Sequence, residues 1–383
     1  MAPTKPVPRV HVESPQTAVP TRAVEPGRTR HIAVPAPPLP AAALQRRTRV
    51  VLYYRADVGA GAPAARRLWE EALWTKESLS EAVAEHPEMA GRLRRRADGS
   101  WEVKLNDAGV RFAQATADAT LEELLAAARD TDRGSSWEDA LAPWAEVNAD
   151  EPDMCALFYM QLTRFQGDGG YAVGVSCSLM LCDPLSLARF LASWARTHAK
   201  MKAQNDLATH PLMQYASYFQ CPGAMAARAL VKSIPLDALA ADADGRAAET
   251  FLFRARPAAG AAAPGDHRAL AGACVAMASE ALGVGKAPAQ FSVVVVAGGG
   301  DGRGGMSVET CAADAQPGSG GGQHEVEVAQ WQELGLEELV FGDSKPVHVS
   351  YAIVSGGSDG EGLVVVMPDG DGGEFLVAAT VPK

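Results

Sequence analysis

An aspartate followed directly by a proline, Asp183-Pro184, separates two apolar patterns, and this junction limits the fold more than any other feature of the chain. Before it, Tyr171–Leu179 has the length and bounds of a buried strand. After it, Leu187, Phe190, Leu191 and Trp194 fall on one helical face. Asp accepts hydrogen bonds from the orphan N–H groups of a first turn, and Pro has the φ that a first turn requires. Residues 171–200 therefore read as strand, tight turn, helix.

The rest of the chain alternates in the same way. Arg49–Tyr54 reads as a strand, followed by a helix from about Pro63 to Glu85 that ends before Pro87. Trp101–Leu105 alternates as a strand does. Thr120 with Glu123 three residues on is a capping box that opens a helix. Ala156–Phe165 pairs with Tyr171–Leu179 across Gly167, Gly169 and Gly170. A second half starts near Glu249, with a strand at Phe251 and a helix from His267 to Leu282 closed by Gly283. Further strands are expected at Phe291–Val296, Val347–Val354, Leu363–Met367 and Phe375–Val381. Strands and helices mix in both halves, so the fold class is α/β with mixed sheets. The expected division is a Pro/Ala-rich segment at 1–45, extended or partly disordered rather than helical, a domain at 46–200, a crossover linker at 201–248, and a domain at 249–383.

Composition excludes several functions. The 383 residues carry 35 Lys and Arg against 46 Asp and Glu, a net charge of -11, which disfavours binding to a nucleic-acid backbone. No apolar run is long enough to span a membrane, and the N-terminus lacks a secretory pattern. Low serine content also argues against a transit peptide in the first 45 residues. The six cysteines, Cys155, Cys177, Cys182, Cys221, Cys274 and Cys311, read as reduced thiols, with Cys177 and Cys182 packed in the core at a strand end. The eight histidines show no metal-ligand spacing, so no metal is expected. Gly298–Gly305 lacks the Gly-Lys-Ser/Thr ending of a phosphate loop and reads as a surface loop. Gly174-Val-Ser-Cys-Ser178 lacks the second glycine of a nucleophile elbow.

Read in order, several segments resemble the plant BAHD family of acyl-CoA-dependent acyltransferases. His86-Pro-Glu-Met-Ala-Gly-Arg-Leu93 is similar to that family's P-x-x-A-G-R-L turn. Asn106–Val110 with Phe112 and Ala115 resembles its N-x-x-G-V-x-F-x-x-A strand. Gln161–Phe165 followed by Gly169 and Gly170 resembles Q-V-T-x-F-x-x-G-G. Tyr171–Trp194 is similar to the segment that carries the catalytic His-x-x-x-Asp motif. Phe341, Gly342, Lys345 and Pro346 stand where D-F-G-W-G-K-P is expected, and Glu361–Pro368 resembles the closing segment. The likeness runs through most of residues 45–381.

The resemblance implies a two-domain, chloramphenicol-acetyltransferase-like architecture with an interdomain channel. It also implies acyl-CoA as a substrate, no bound cofactor, and a histidine that takes the proton of an acceptor hydroxyl or amine. Leu179 stands at the histidine position and Asp183 at the aspartate position. Leucine has no lone pair, and a missing general base costs on the order of 10²–10⁴ in rate. Strand alternation sends Ser178 away from Leu179, and neither Ser178 nor Cys177 is expected to substitute. In the family the aspartate is structural and pairs with an arginine, a place that Arg303 would fill here.

The second signature also departs from the family: Val340, Asp343 and Ser344 replace its Asp, Trp and Gly. The glycine-rich stretch between Val296 and Trp331 reads as a shortened second domain. Lys345-Pro346, Val349-Ser-Tyr351 and Gly362–Val365 are most similar to the eceriferum and glossy proteins, which are implicated in very-long-chain fatty-acid elongation for cuticular wax. The expectation is a cytoplasmic monomer, impaired in acyl transfer, that acts as an accessory to a fatty-acid elongase, with peripheral attachment to the endoplasmic reticulum through that partner as the alternative location. An active transferase with an unusual base and a degraded copy are the competing expectations.

Overall fold

The structure is a computed structural model. It describes residues 8–34, 39–55, 64–128, 137–167, 170–204, 232–236, 248–258, 267–283, 287–296, 306–312, 324–341, 344–356, 360–370 and 373–383. The strands are β1 (Arg9–Ala18), β2 (Thr29–Ala33), β3 (Arg47–Tyr54), β4 (Arg92–Arg95), β5 (Trp101–Lys104), β6 (Val110–Ala117), β7 (Phe158–Phe165), β8 (Tyr171–Ser178), β9 (Lys232–Pro235), β10 (Ala248–Pro257), β11 (Gln290–Val296), β12 (Met306–Ala312), β13 (His324–Ala329), β14 (His348–Val354), β15 (Gly362–Pro368) and β16 (Phe375–Pro382). The helices are α1 (Ala41–Leu44), α2 (Ala64–Glu85), α3 (Leu121–Ala128), α4 (Pro184–Gln204) and α5 (His267–Ala281).

Two sheets result, and both are mixed, as the α/β reading requires. The first has seven strands in the order β14-β3-β8-β7-β6-β1-β9, and the second has nine in the order β13-β10-β16-β15-β11-β12-β2-β5-β4. Most pairs are antiparallel, while β6/β7, β11/β15 and β12/β2 are parallel. The strand pairing crosses the division expected from sequence. β14, from the second half, pairs with β3 in the first sheet, while β2, β4 and β5, from the first half, complete the second sheet.

The described residues among the first 45 are more structured than expected. They are extended, as read, but they pair: β1 lies between β6 and β9, and β2 between β12 and β5. A one-turn helix also forms at α1, directly after Pro40, so the non-helical expectation fails there. Pro15 is tolerated because β9 covers only Arg9–Val12, which leaves Pro15 where β1 has one neighbour. The glycine-rich stretch after Val296 is likewise less bare than read, since it contains β12 and β13.

Alternation along the strands sorts side chains between three apolar clusters. Even-numbered residues of β3 (Val50, Leu52, Tyr54) and odd-numbered residues of β8 (Tyr171, Val173, Val175, Cys177) enter a central cluster with α2 and α4. Inner-face residues of the second sheet, Val294, Leu363, Val365 and Met367, belong to the same cluster. The opposite face of the first sheet packs on α3, and that of the second on α5. Gly174 permits the close approach on the outer face, because a Cβ there would lie 2.0 Å from the Leu141 carbonyl oxygen. Arg92 explains two of the sequence motifs at once. It is 3% exposed and donates to the carbonyls of Ala90, Gly91, Ala108 and Gly109, tying the 87–91 turn to the start of β6. Burial, with Arg111 nearby, lowers its pKa to about 10.

Candidate functional site

The turn between β8 and α4 is built mainly by its backbone. The Leu181 and Cys182 amides donate to the Ser178 carbonyl at 2.9 and 3.2 Å. The Met180 amide donates to Ser178 Oγ at 3.1 Å, which spends the serine on the turn itself. The Leu179 amide donates to the Arg46 carbonyl at 3.0 Å and so extends the β3–β8 ladder by one step. None of these bonds depends on the side chain at 179.

Leu179 is 0% exposed and sits in the central cluster with Val173, Val175 and Cys177. Asp183 is 2% exposed and caps α4: Ser186 N donates to its Oδ1 at 2.9 Å, and Ser186 Oγ to its Oδ2 at 2.5 Å. Arg303, the expected partner of Asp183, lies outside the described residues. The arginine that approaches the turn comes from β2: Arg30 Nη2 donates to the Met180 carbonyl at 3.0 Å and also to the Leu181 carbonyl. Burial lowers the Arg30 pKa, while Cys182, Glu88 and Asp183 oppose that shift. Cys177 and Cys182 bring their sulfurs to 3.5 Å. The Cys177 thiol beside it, together with burial, pushes the Cys182 thiol well above its ordinary value, which disfavours a thiolate nucleophile.

The second signature is distant from this turn along α4. Phe341 is 0% exposed and lies among Tyr54, Tyr171, Trp194 and His198, with ring centroids at 5.9, 6.0, 5.3 and 4.7 Å. Tyr54 Oη donates to the Leu339 carbonyl and Tyr171 Oη to the Phe341 carbonyl, each at 3.0 Å. Gly342 lies outside the described residues. Lys345 is exposed and forms an ion pair with Glu338, and Pro346 is half-buried. This loop serves as a clasp from the second half of the chain onto the first.

Sequence reading missed the network beneath the clasp. His198 is 2% exposed, with Nδ1 3.0 Å from Ser78 Oγ and Nε2 2.8 Å from Glu71 Oε1. Trp194 Nε1 donates to Ser78 Oγ at 3.0 Å, and Lys202 Nζ to Glu71 Oε2 at 2.8 Å. Burial alone would raise the Glu71 pKa, but His198 and Lys202 outweigh it and hold the carboxyl below its usual value. Serine, histidine and glutamate meet here in the chemical order of a triad, yet Ser78 is 0% exposed. The signal available in sequence was the spacing of Trp194, His198 and Lys202, four residues apart and so on one side of α4. Among the described residues there is no cluster of metal-ligating side chains, and no helix is long and apolar enough to cross a membrane.

The Transferase family model matches residues 65–216, which include all of α2 but Ala64, the β8–α4 turn and all of α4. Agmatine hydroxycinnamoyltransferase 1 of Oryza sativa subsp. japonica is 35% identical over 143 residues, 37% of this chain and 28% of that protein. Protein ECERIFERUM 26-like of Arabidopsis thaliana is 36% identical over 126 residues, 32% of this chain and 28% of that protein. BAHD acyltransferase BIA1 of Arabidopsis thaliana is 32% identical over 132 residues, 34% of this chain and 28% of that protein. Through this segment the chain is similar to BAHD acyltransferases. The aligned stretches span little more than a quarter of those relatives' length. Among solved structures, vinorine synthase superposes with a TM-score of 0.47 at 16% identity, covering 98% of this chain and 95% of that one. Leu179 and Asp183 bracket the turn between β8 and α4.

Proposed function

We propose that this chain is a BAHD-type protein that binds an acyl group from acyl-CoA but no longer abstracts a proton at the His-x-x-x-Asp position. One observation carries the reading: the side chain at the general-base position is a fully buried leucine, which cannot accept a proton. The nearest thiol pair does not supply a replacement, because the Cys182 pKa is pushed upward. His198 does not supply one either, because both of its nitrogens are occupied and its partner Ser78 is closed to solvent. We further propose an accessory role in very-long-chain fatty-acid elongation, as a monomer in the cytoplasm or held at the endoplasmic reticulum by an elongase. The likeness to the eceriferum-like relative supports this, although the agmatine hydroxycinnamoyltransferase is about as similar.

The test is CoA release from a panel of acyl-CoAs with hydroxyl and amine acceptors, comparing the purified protein with Leu179→His. Little turnover in the native protein and a clear gain in the variant are expected. Turnover in the native protein equal to that of the variant sinks the loss-of-base reading and favours an unusual base. Co-expression with an elongase condensing enzyme tests the accessory role, and unchanged product chain lengths reject it. A degraded copy would melt without cooperativity.

A further inference from the structure

Two thiols meet where β8 turns into α4. Cys177 lies one residue before the end of β8 and is 0% exposed, and Cys182 directly precedes the capping Asp183 and is 5% exposed. Their side chains converge because the chain doubles back, with the Leu181 and Cys182 amides both returning to the Ser178 carbonyl. The sulfurs lie 3.5 Å apart and both thiols are free. A disulfide needs about 2.0 Å, so the pair has to close by about 1.5 Å. Cys274 gives the contrast. It is equally buried, at 0% exposure, but burial alone acts on its thiol and pushes it up to about 12.

Arg30 braces the loop that the two cysteines bound, since its Nη2 donates to the Met180 and Leu181 carbonyls. Its guanidinium also favours a charged sulfur at Cys182, against the larger opposing effects of Cys177 and burial and a smaller one from Asp183. The balance is upward, so attack of Cys182 on an oxidant is slow. The same balance favours the disulfide once it exists, because a dithiol whose thiolates are not stabilised is the more reducing one.

We propose that Cys177 and Cys182 are a redox-sensitive pair that closes to a disulfide and staples the strand-to-helix turn around Leu179. The oxidant is a hydroperoxide, of which hydrogen peroxide is the simplest. Cys182, the more exposed of the two, attacks a peroxide oxygen. The O–O bond breaks, the Cys182 proton leaves with the departing hydroxide as water, and a sulfenic acid remains. Cys177 then attacks the Cys182 sulfur, the S–O bond breaks, and a second water carries away the Cys177 proton. Both thiols are oxidised and one peroxide is reduced to water. The closed loop holds the end of β8 against the start of α4. This device operates whether or not acyl transfer survives.

The experiment treats the folded full chain with graded hydrogen peroxide, quenches it, alkylates it under denaturing conditions and reads the tryptic fragments by mass spectrometry. Both cysteines fall in the fragment 165–189, between the cleavage sites at Arg164 and Arg189. That fragment should lose two hydrogens and both alkylation sites at a dose that leaves Cys274 alkylated, and dithiothreitol should restore it. Closure should raise the melting temperature by about a few degrees. Cys177→Ala and Cys182→Ala, each compared treated against untreated, should lose that shift, and the comparison cancels any cost of the substitution itself. The proposal is overturned if the fragment stays alkylated, or reacts only at doses where Cys274 reacts too, as plain core thiols would. It is also overturned if Cys182 passes to sulfinic acid without a disulfide. A disulfide that leaves the melting temperature unchanged overturns the staple.

Discussion

The two ends of α4 hold opposite halves of what acid–base catalysis requires. At its N-terminus, the turn that carries the base in BAHD proteins is fully formed, but Leu179 offers nothing that titrates. Toward its C-terminus, about 21 Å along the axis by helical rise, His198 meets a serine and a carboxylate at hydrogen-bond distance with no exposed nucleophile. One end has the position without the group, and the other has the group without the position. The difference follows from what each site depends on. The turn is held by backbone amides and by Ser178 and Asp183, so residue 179 can change without breaking the turn's hydrogen bonds. The network is held by the side chains themselves, so it persists only while it stabilises α2 against α4.

The strongest way to break this comparison is to return the missing group. Leu179→His should raise CoA release by on the order of 10²–10⁴, whereas His198→Gln, assayed at equal folded concentration, should leave the low native turnover unchanged. Next in size, His198→Ala removes a partner from two buried groups and opens a gap under Phe341, and should cost about 3 kcal/mol in a denaturant melt. A loss below about 1 kcal/mol would show that the network does not hold the helices together. A smaller effect concerns pH. Glu71 has a depressed folded pKa, so its stabilisation is present above the unfolded value near 4.5 and is lost as pH falls through the lower folded value. Glu71→Gln should lower the neutral side of the melting-temperature profile and flatten its acid side. The smallest effect belongs to the cap. Asp183→Ala should cost about 1 kcal/mol and Asp183→Asn a few tenths, and neither should alter CoA release per folded molecule.

Local signals were legible where local chemistry decides the structure. The Asp183-Pro184 junction, the Thr120–Glu123 box and the glycine after α5 all formed as expected, with Glu123 N donating to Thr120 Oγ1 at 3.2 Å and Gly283 at φ +71°. Alternation separates Ser178, whose Oγ accepts the Met180 amide, from Leu179 in the central cluster. β1, β2, β12 and β13 were not legible, because their partners lie far away in sequence and proline or glycine surrounds them. The same reason hid Arg30, about 150 residues before the turn it braces. The ring box around Phe341 was hidden because its members come from four separate segments.

The exchange of strands between the sheets limits how the chain can be divided. β14 closes one edge of the first sheet from the second half of the sequence, and β2, β5 and β4 close an edge of the second sheet from the first half. A cut between α4 and β9 should therefore give two fragments that remain associated through strand pairing and co-purify as a nicked protein. Either fragment made alone would expose unsatisfied ladder edges and should aggregate, so neither half is an independent folding unit.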